Sequence, residues 1–407
     1  MTDQAATQDI SRSTSPPASI DQLIADNARA LSSQLHTLRA RLFPPTAQKE
    51  LRLFSSAEAA RLIGVTDGYL RQLALGGGGP AAERGPGGRR LYSLAQVHEL
   101  RRFLAKSKPG YIPARVGSEH LQVIAVTNFK GGSGKTTVST HLAQYLALRG
   151  FRVLAIDLDP QASMSALFGY QPEFDIKPNE TLYGAIRYDG DRRPLKEIIR
   201  PTYFQGLDIV PGNLELHEFE HDTPRMLAEG KKGDGLFFAR VAKALTTVDQ
   251  DYDIVVIDCP PQLGFLTLGA LCAATGVLIT IHPQMLDVAS MSQFLQMTSG
   301  LLSVVRKAGG NLQYDFLRYL ITRFEPNDGP QAQVVGFLRN LFGDLVLTQA
   351  MLKSTAVSEA GLRKQTVYEI SRDQINRQTY ERAIESLDAV NGEIENLIRK
   401  VWGRAAA

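Results

Sequence analysis

Cysteine, tryptophan and long apolar runs are all scarce in this chain, and each scarcity removes a class of protein. Only Cys259 and Cys272 occur among 407 residues. Each sits in apolar sequence, so neither a disulfide framework nor a cysteine metal cluster is available, and a reducing cytoplasm is the expected setting. The seven histidines show no ligand spacing. No apolar stretch approaches the roughly 18 residues that a membrane-spanning helix needs, and the start, Met1 to Ala6, lacks a basic-then-apolar leader pattern. No membrane association is expected. Net charge is small as well, +3 overall, but residues 1–120 hold 16 Lys/Arg against 10 Asp/Glu and the remainder 29 against 32. That N-terminal basic excess points to an anionic partner there. A chain that is 43% hydrophobic and 21% charged is globular, and its length suits two or three domains.

What the sequence does have is the run Lys130-Gly131-Gly132-Ser133-Gly134-Lys135-Thr136-Thr137, set between the apolar segment Val123–Val126 and a helical pattern. Strand, glycine-rich turn and helix together aim backbone N–H groups and a helix N-terminus at one point, where a polyphosphate gains most. In such a loop Lys135 reaches the β- and γ-phosphates and the Thr136 hydroxyl ligates Mg²⁺. The usual pattern has a glycine five residues before Gly134. This chain has Phe129 there, followed by an additional lysine, Lys130, either a solvated loop cation or a further phosphate ligand.

Two more apolar runs end in carboxylates: Arg152–Ile156 leads into Asp157-Leu158-Asp159-Pro160-Gln161, and Ile254–Ile257 leads into Asp258-Cys259-Pro260-Pro261. Both read as buried parallel strands whose C-terminal ends face the ligand crevice of a doubly wound sheet. There Asp258 can hold Mg²⁺, directly or through water. Further strands are expected within 276–283 and 316–324.

The phosphate loop, with its extra lysine, resembles the deviant Walker A box of the ParA/MinD ATPases, and the two aspartate boxes match as well. The resemblance implies ATP and ADP as ligands with Mg²⁺, a homodimer in which Lys130 crosses to the partner's phosphates, and Asp159 as the residue that positions or activates the attacking water. It also implies adenine contacts from Thr322 to Asn327, and nonspecific DNA contacts from Lys353, Arg363 and Lys364. The run Tyr319–Pro330 resembles the RepA branch of the family, found in repABC plasmid replication and partition cassettes.

Ahead of this lies a different pattern. Residues 1–19, rich in Ser, Thr, Gln and Pro, read as a disordered tail. Ile20, Leu23, Ile24, Leu31, Leu35, Leu38 and Leu42 form an amphipathic helix within 20–45, read as a dimerisation element. Ser55-Ser56-Ala57-Glu58 is a capping box; Gly64-Val65 is a turn and Thr66 an N-cap, giving helix, turn, helix. A glycine-rich excursion with Arg89 and Arg90 follows, then a helix opened by Ser93. Residues 50–107 resemble the winged helix-turn-helix of the MerR type. By that resemblance Thr66, Tyr69 and Arg71 lie near DNA bases and Arg89 and Arg90 on backbone phosphates. A small helical domain with solvated arginines is the alternative. Residues 108–120 read as a linker and 121–407 as the ATPase domain.

The fold expected is therefore α/β: a doubly wound, mostly parallel P-loop NTPase sheet preceded by a helical winged domain and an N-terminal helix. The function implied is an ATP-dependent plasmid-partitioning ATPase with a weak intrinsic rate. Its ATP dimer binds nucleoid DNA, a ParB/RepB-type centromere-binding protein stimulates hydrolysis, and the winged domain represses its own operon at a specific operator. A cytoplasmic, nucleoid-associated protein follows. The alternatives are a nucleotide-responsive transcriptional regulator without a partition role, and a MinD-like positioning ATPase. The mixed charges on the polar face of the pattern Tyr380–Trp402 speak against a membrane-binding helix.

Overall fold

A computed structural model describes residues 19–42, 49–230, 236–310 and 312–406, except for the side chains of residues 35, 36, 38–42 and 86. The chain separates into a unit ending at Lys49 and a compact unit from Glu50 onward. In the first, a helix runs Ile20–Leu42 as the apolar spacing predicts. Ile20, Leu23, Ile24 and Leu31 on it are exposed. The side chains of Leu35, Leu38 and Leu42, and the tail read at residues 1–18, lie outside the described residues.

The second unit opens with strand β1 (Phe54–Ser55) and two helices, Ser56–Ile63 and Asp67–Leu75. The capping box predicted at Ser55 is present: its hydroxyl accepts from Glu58 N at 3.3 Å and Glu58 Oε2 accepts from Ser55 N at 2.9 Å. Gly64 ends the first helix in the left-handed region, φ 86°, where a side chain would be strained. Strands β2 (Glu83–Arg84) and β3 (Arg90–Tyr92) form a hairpin, and β3 lies between β1 and β2 in a small antiparallel sheet. A helix, Leu94–Ala105, closes this part, burying its Val97, Leu100 and Leu104 with Phe54, Ile63, Leu70 and Tyr92.

The main sheet contains seven strands: β4 (Gln122–Thr127), β5 (Val153–Asp157), β6 (Arg200–Pro201), β7 (Leu207–Val210), β8 (Ile254–Asp258), β9 (Gly276–Ile281) and β10 (Phe316–Ile321). Their order is β10-β9-β4-β8-β5-β7-β6. All pairings are parallel except β6 with β7. Strands β4, β5, β8 and β9 are buried along their whole length, which is why they read as unbroken Val/Ile/Leu/Ala runs and not as alternating patterns.

The segment read as a linker is strapped down. The Arg115 backbone N–H donates to Asp253 Oδ1 at 3.0 Å and its Nε to Tyr252 O at 3.1 Å. From the far end of the chain, Arg404 donates to Pro113 O and Ala114 O, both at 2.8 Å. These guanidiniums satisfy loop carbonyls that would otherwise need water.

The phosphate-loop helix, Lys135–Arg149, carries the winged part and the C-terminal helix, Arg377–Val401. The latter buries Tyr380, Ile384, Leu387, Val390, Ile394 and Ile398, so its apolar face is spent on the domain, as its mixed polar face suggested. Glu395 on it is fully buried and accepts from Arg149 Nε at 3.1 Å, Arg399 Nε at 2.8 Å and Tyr145 Oη at 3.2 Å. His98 Nε2, from the winged part, bonds Ala147 O at 2.9 Å. His141, on the phosphate-loop helix, bonds Thr137 O through Nδ1 at 2.7 Å.

Burial holds both histidines neutral, drawing each imidazole down to about 4. Below pH 6.5 an unfolded chain takes up protons that these folded histidines refuse. Their contribution is therefore whole above pH 6.5 and lost as pH falls toward 4, at up to about 1.4 kcal/mol per pH unit per histidine. Burial raises Asp157 to about 6, which acts with opposite sign in the same window, so the measurement is comparative. Urea unfolding from pH 7 to 5 should show wild type losing stability relative to His98→Gln by about 1 to 2 kcal/mol. Parallel pH profiles for the two proteins would show that His98 is not held neutral.

Candidate nucleotide site

The site begins where the buried strand β4 can go no further. Residues 128–134 leave its end as a loop with left-handed glycines at Gly132, φ 75°, and Gly134, φ 87°, and Lys135 starts the helix. The loop is pinned from below by hydroxyls on neighbouring strand ends. Thr322 Oγ1 donates to Ser133 O at 2.7 Å, and Thr280 Oγ1 donates to Ser133 Oγ at 3.0 Å. The Lys130 backbone N–H donates to Asn128 Oδ1 at 3.0 Å. Lys135 is buried and its Nζ donates to Lys130 O at 3.2 Å, so the ammonium lies folded under the loop. Burial lowers its pKa, while Asp258 opposes that shift.

Parallel registry sets Asp157 at the end of β5 directly opposite Asp258 at the end of β8. Both carboxylates are fully buried. Asp157 is well satisfied: Oδ2 accepts from Ser165 Oγ at 2.7 Å and from Ser165 N at 2.8 Å. Asp258 is not. Its Oδ1 accepts from Ser139 Oγ at 3.1 Å and the Thr136 hydroxyl stands close enough to favour the charged form, but Oδ2 makes no well-formed hydrogen bond. Burial and the neighbouring Asp157 push the Asp258 carboxyl well above the ordinary carboxylate range. An orphaned, buried carboxylate oxygen next to Thr136 fits a divalent cation held between the two, because such a cation removes the repulsion that raises the pKa. Asp159 lies two residues beyond, partly exposed, with Oδ1 accepting from Gln161 N at 2.9 Å.

Above these groups is an open cavity of about 490 Å³, within the range of small-molecule sites. Gly131, Gly132, Gly134, Lys135, Thr136, Thr137 and Asp159 line one side of it. Thr322, Arg323, Lys353, Ser354 and Ser358 line the other. The sequence-predicted loop and Asp159 are thus brought to one cavity, with Asp258 buried behind. Ser139 and Ser165, which orient the two aspartates, went unnoticed in the sequence. Ser139 is legible afterwards as the residue one helical turn past Lys135, whereas nothing local marks Ser165.

Of Lys130 and the DNA-contact candidates, only Lys353 lines this cavity. Lys130 turns back to an ion pair with Asp287, which is also 3.2 Å from His282 Nδ1. Lys353, read as a DNA contact, stands on the cavity wall with Nζ 2.8 Å from Glu325 Oε1. Arg363 is exposed just after helix Thr355–Leu362, and Lys364 follows with φ 53°. In the winged part, the Thr66 hydroxyl is used as an N-cap, accepting from Tyr69 N at 3.2 Å. Tyr69 is exposed and Arg71 pairs with Asp67. On the hairpin, Arg89 is exposed and Arg90 Nη1 donates to Arg71 O at 3.3 Å, tying hairpin to helix. None of the described helices is long and apolar enough to cross a membrane.

A family model described as an AAA domain matches residues 121–308. The protein named "Putative replication protein A" of Rhizobium rhizogenes is 56% identical over 385 residues, which is 94% of this chain and 95% of its own. Protein SopA of Escherichia coli strain K12 is 32% identical over 88% of this chain and 92% of its own. In fold, a solved structure named "Partition Protein" matches with a TM-score of 0.60 at 18% identity, covering 89% of this chain and 98% of that one. On relatives that match almost end to end, the chain belongs to the ParA-type family of partition ATPases, together with replication protein A and SopA.

Proposed function

We propose that this chain is a nucleotide-switched partition ATPase that also represses its own operon. The observation that carries the reading is the orphaned Asp258 oxygen behind a phosphate loop that opens onto a nucleotide-sized cavity. Backbone N–H groups of Gly131–Thr137 bind the phosphates, with Lys135 rising from beneath the loop to the β- and γ-phosphates. Thr136 and Asp258 hold Mg²⁺, which when bound neutralises charge developing on the transferring phosphoryl group. Asp159, at the open edge of the cavity, orients the attacking water. Lys130 leaves Asp287 to reach the phosphates of a second copy. Arg363 and Lys364, with Lys353 near the cavity, give the ATP dimer its nonspecific grip on nucleoid DNA, and a ParB/RepB-type partner triggers release. Thr66, Tyr69, Arg71, Arg89 and Arg90 supply operator contacts.

A membrane-positioning role is disfavoured by the C-terminal helix, whose apolar face is buried in the domain.

Asp159→Ala should retain ATP affinity within about threefold while hydrolysis falls at least a hundredfold; hydrolysis at the wild-type rate would remove Asp159 from the chemistry. Lys130→Ala should still bind nucleotide but stay monomeric with ATP in sedimentation, and a normal ATP dimer would contradict the crossing role. The deciding experiment uses two duplexes, one of random sequence and one from upstream of the gene, each without nucleotide, with ADP and with ATP-Mg²⁺. Random DNA bound only with ATP, and upstream DNA bound also with ADP, is the expected pattern. Binding indifferent to nucleotide on both duplexes would mean that DNA is not what this ATPase switches.

A further inference from the structure

Besides Lys135, two cations line the phosphate cavity, Arg323 and Lys353, while Lys130 stands at the start of its loop, and these three are not held alike. Lys130 is paired with Asp287, and Lys353 with Glu325. Arg323 has no carboxylate partner among the described residues; its one hydrogen bond is from Nη1 to the neutral Gly132 carbonyl at 3.2 Å. A guanidinium carries five N–H donors, so most of its donors are uncommitted beside a site built for anions.

The backbone shows that this placement is enforced. Thr322, just before it, is fully buried and fixed twice: its N–H donates to Ile281 O at 2.8 Å and its hydroxyl to Ser133 O at 2.7 Å. Arg323 then adopts φ 54°, a left-handed conformation that is strained for a residue with a side chain. The Phe324 N–H is held by Met351 O at 3.0 Å. The turn between those anchors swings the guanidinium over the phosphate loop. Arginine suits the task, because its planar fork binds two phosphate oxygens at once where a lysine offers a point charge.

We propose that Arg323 is a phosphate-binding residue of this site, and not the adenine contact that its place in the stretch Thr322–Asn327 implied: on nucleotide binding its guanidinium leaves the Gly132 carbonyl for oxygens of the terminal phosphate of a nucleoside triphosphate. This deepens, and rests on, the nucleotide-site reading above. Lys130 and Lys353 must each give up a carboxylate to meet a phosphate. Arg323 gives up only a carbonyl bond, so its contact is the least opposed of the three, and it falls on the phosphate that distinguishes ATP from ADP.

The test is ATP and ADP affinity, measured with Mg²⁺ by titration calorimetry, for the full-length protein and for Arg323→Gln, Arg323→Lys and Lys135→Ala. Arg323→Gln should weaken ATP at least tenfold and leave ADP within twofold, with Arg323→Lys in between. The thermal midpoint without nucleotide reports whether each variant folds. Equal weakening of ATP and ADP by Arg323→Gln, or no change in either, would overturn the proposal while Lys135→Ala still loses both nucleotides and the site reading stands. Should wild type bind neither nucleotide, or Lys135→Ala bind both as wild type does, the site reading falls and the role of Arg323 with it.

Discussion

Parallel registry among β4, β5 and β8 is the constraint on which the candidate site depends. It ends three buried strands at one level, so the phosphate loop leaves β4 beside Asp157 and Asp258, which face each other across paired strands. Two buried carboxylates in facing register repel, and burial keeps bulk solvent from screening them. The protein satisfies one with the Ser165 hydroxyl and N–H and leaves an oxygen of the other bare. That asymmetry is chemically informative. A purely structural pair would be satisfied on both sides, since an unpaired buried carboxylate oxygen costs free energy that evolution readily removes.

The phosphate-loop helix turns this local site into a property of the whole second unit. Eleven of its fifteen residues are buried. His141 and Gln144 lie against residues 366–367: His141 Nε2 accepts from Val367 N at 3.4 Å, and Gln144 Oε1 accepts from Thr366 Oγ1 at 2.6 Å. Asn391 of the C-terminal helix donates to Tyr368 Oη at 3.1 Å, and Tyr368 Oη donates to Asp388 at 2.9 Å. Farther along, Ala147 O meets His98 and Arg149 meets Glu395. A single helix thus begins at the glycine-rich loop and ends against His98 of helix Leu94–Ala105. Such packing leaves little room for the helix to shift at one end alone.

Much of this was legible in the sequence because it is local. Glycines that need positive φ, capping boxes at Ser55 and Ser93, and strands buried on both faces leave marks within a few residues. The phosphate loop, Asp159 and Asp258 were readable for that reason. Long-range pairing was not. Asp287 lies 157 residues after Lys130, Glu325 is 28 before Lys353, and Arg404 is 290 after Ala114. Nothing in the local sequence says which carboxylate each cation will find. Nor does local sequence show that Lys353 stands on the cavity wall, paired with Glu325.

Those pairings bear on how a switch of this kind can work. Lys130 already has a counter-ion in its own chain, so under the proposed dimer its move to a second copy's phosphates would exchange one ion pair for another and not capture an unpaired charge. Its side chain is 41% exposed while that of Asp287 is only 10% exposed. Release therefore returns the lysine partly to water at little cost, but leaves a mostly buried carboxylate with His282 as its nearest partner. The net gain from exchange is small by construction, because each side of it contains one salt bridge. A small gain would suit the proposed reversible dimer: nucleotide would tip the balance toward exchange, and loss of the γ-phosphate would tip it back without having to break a strongly favoured contact.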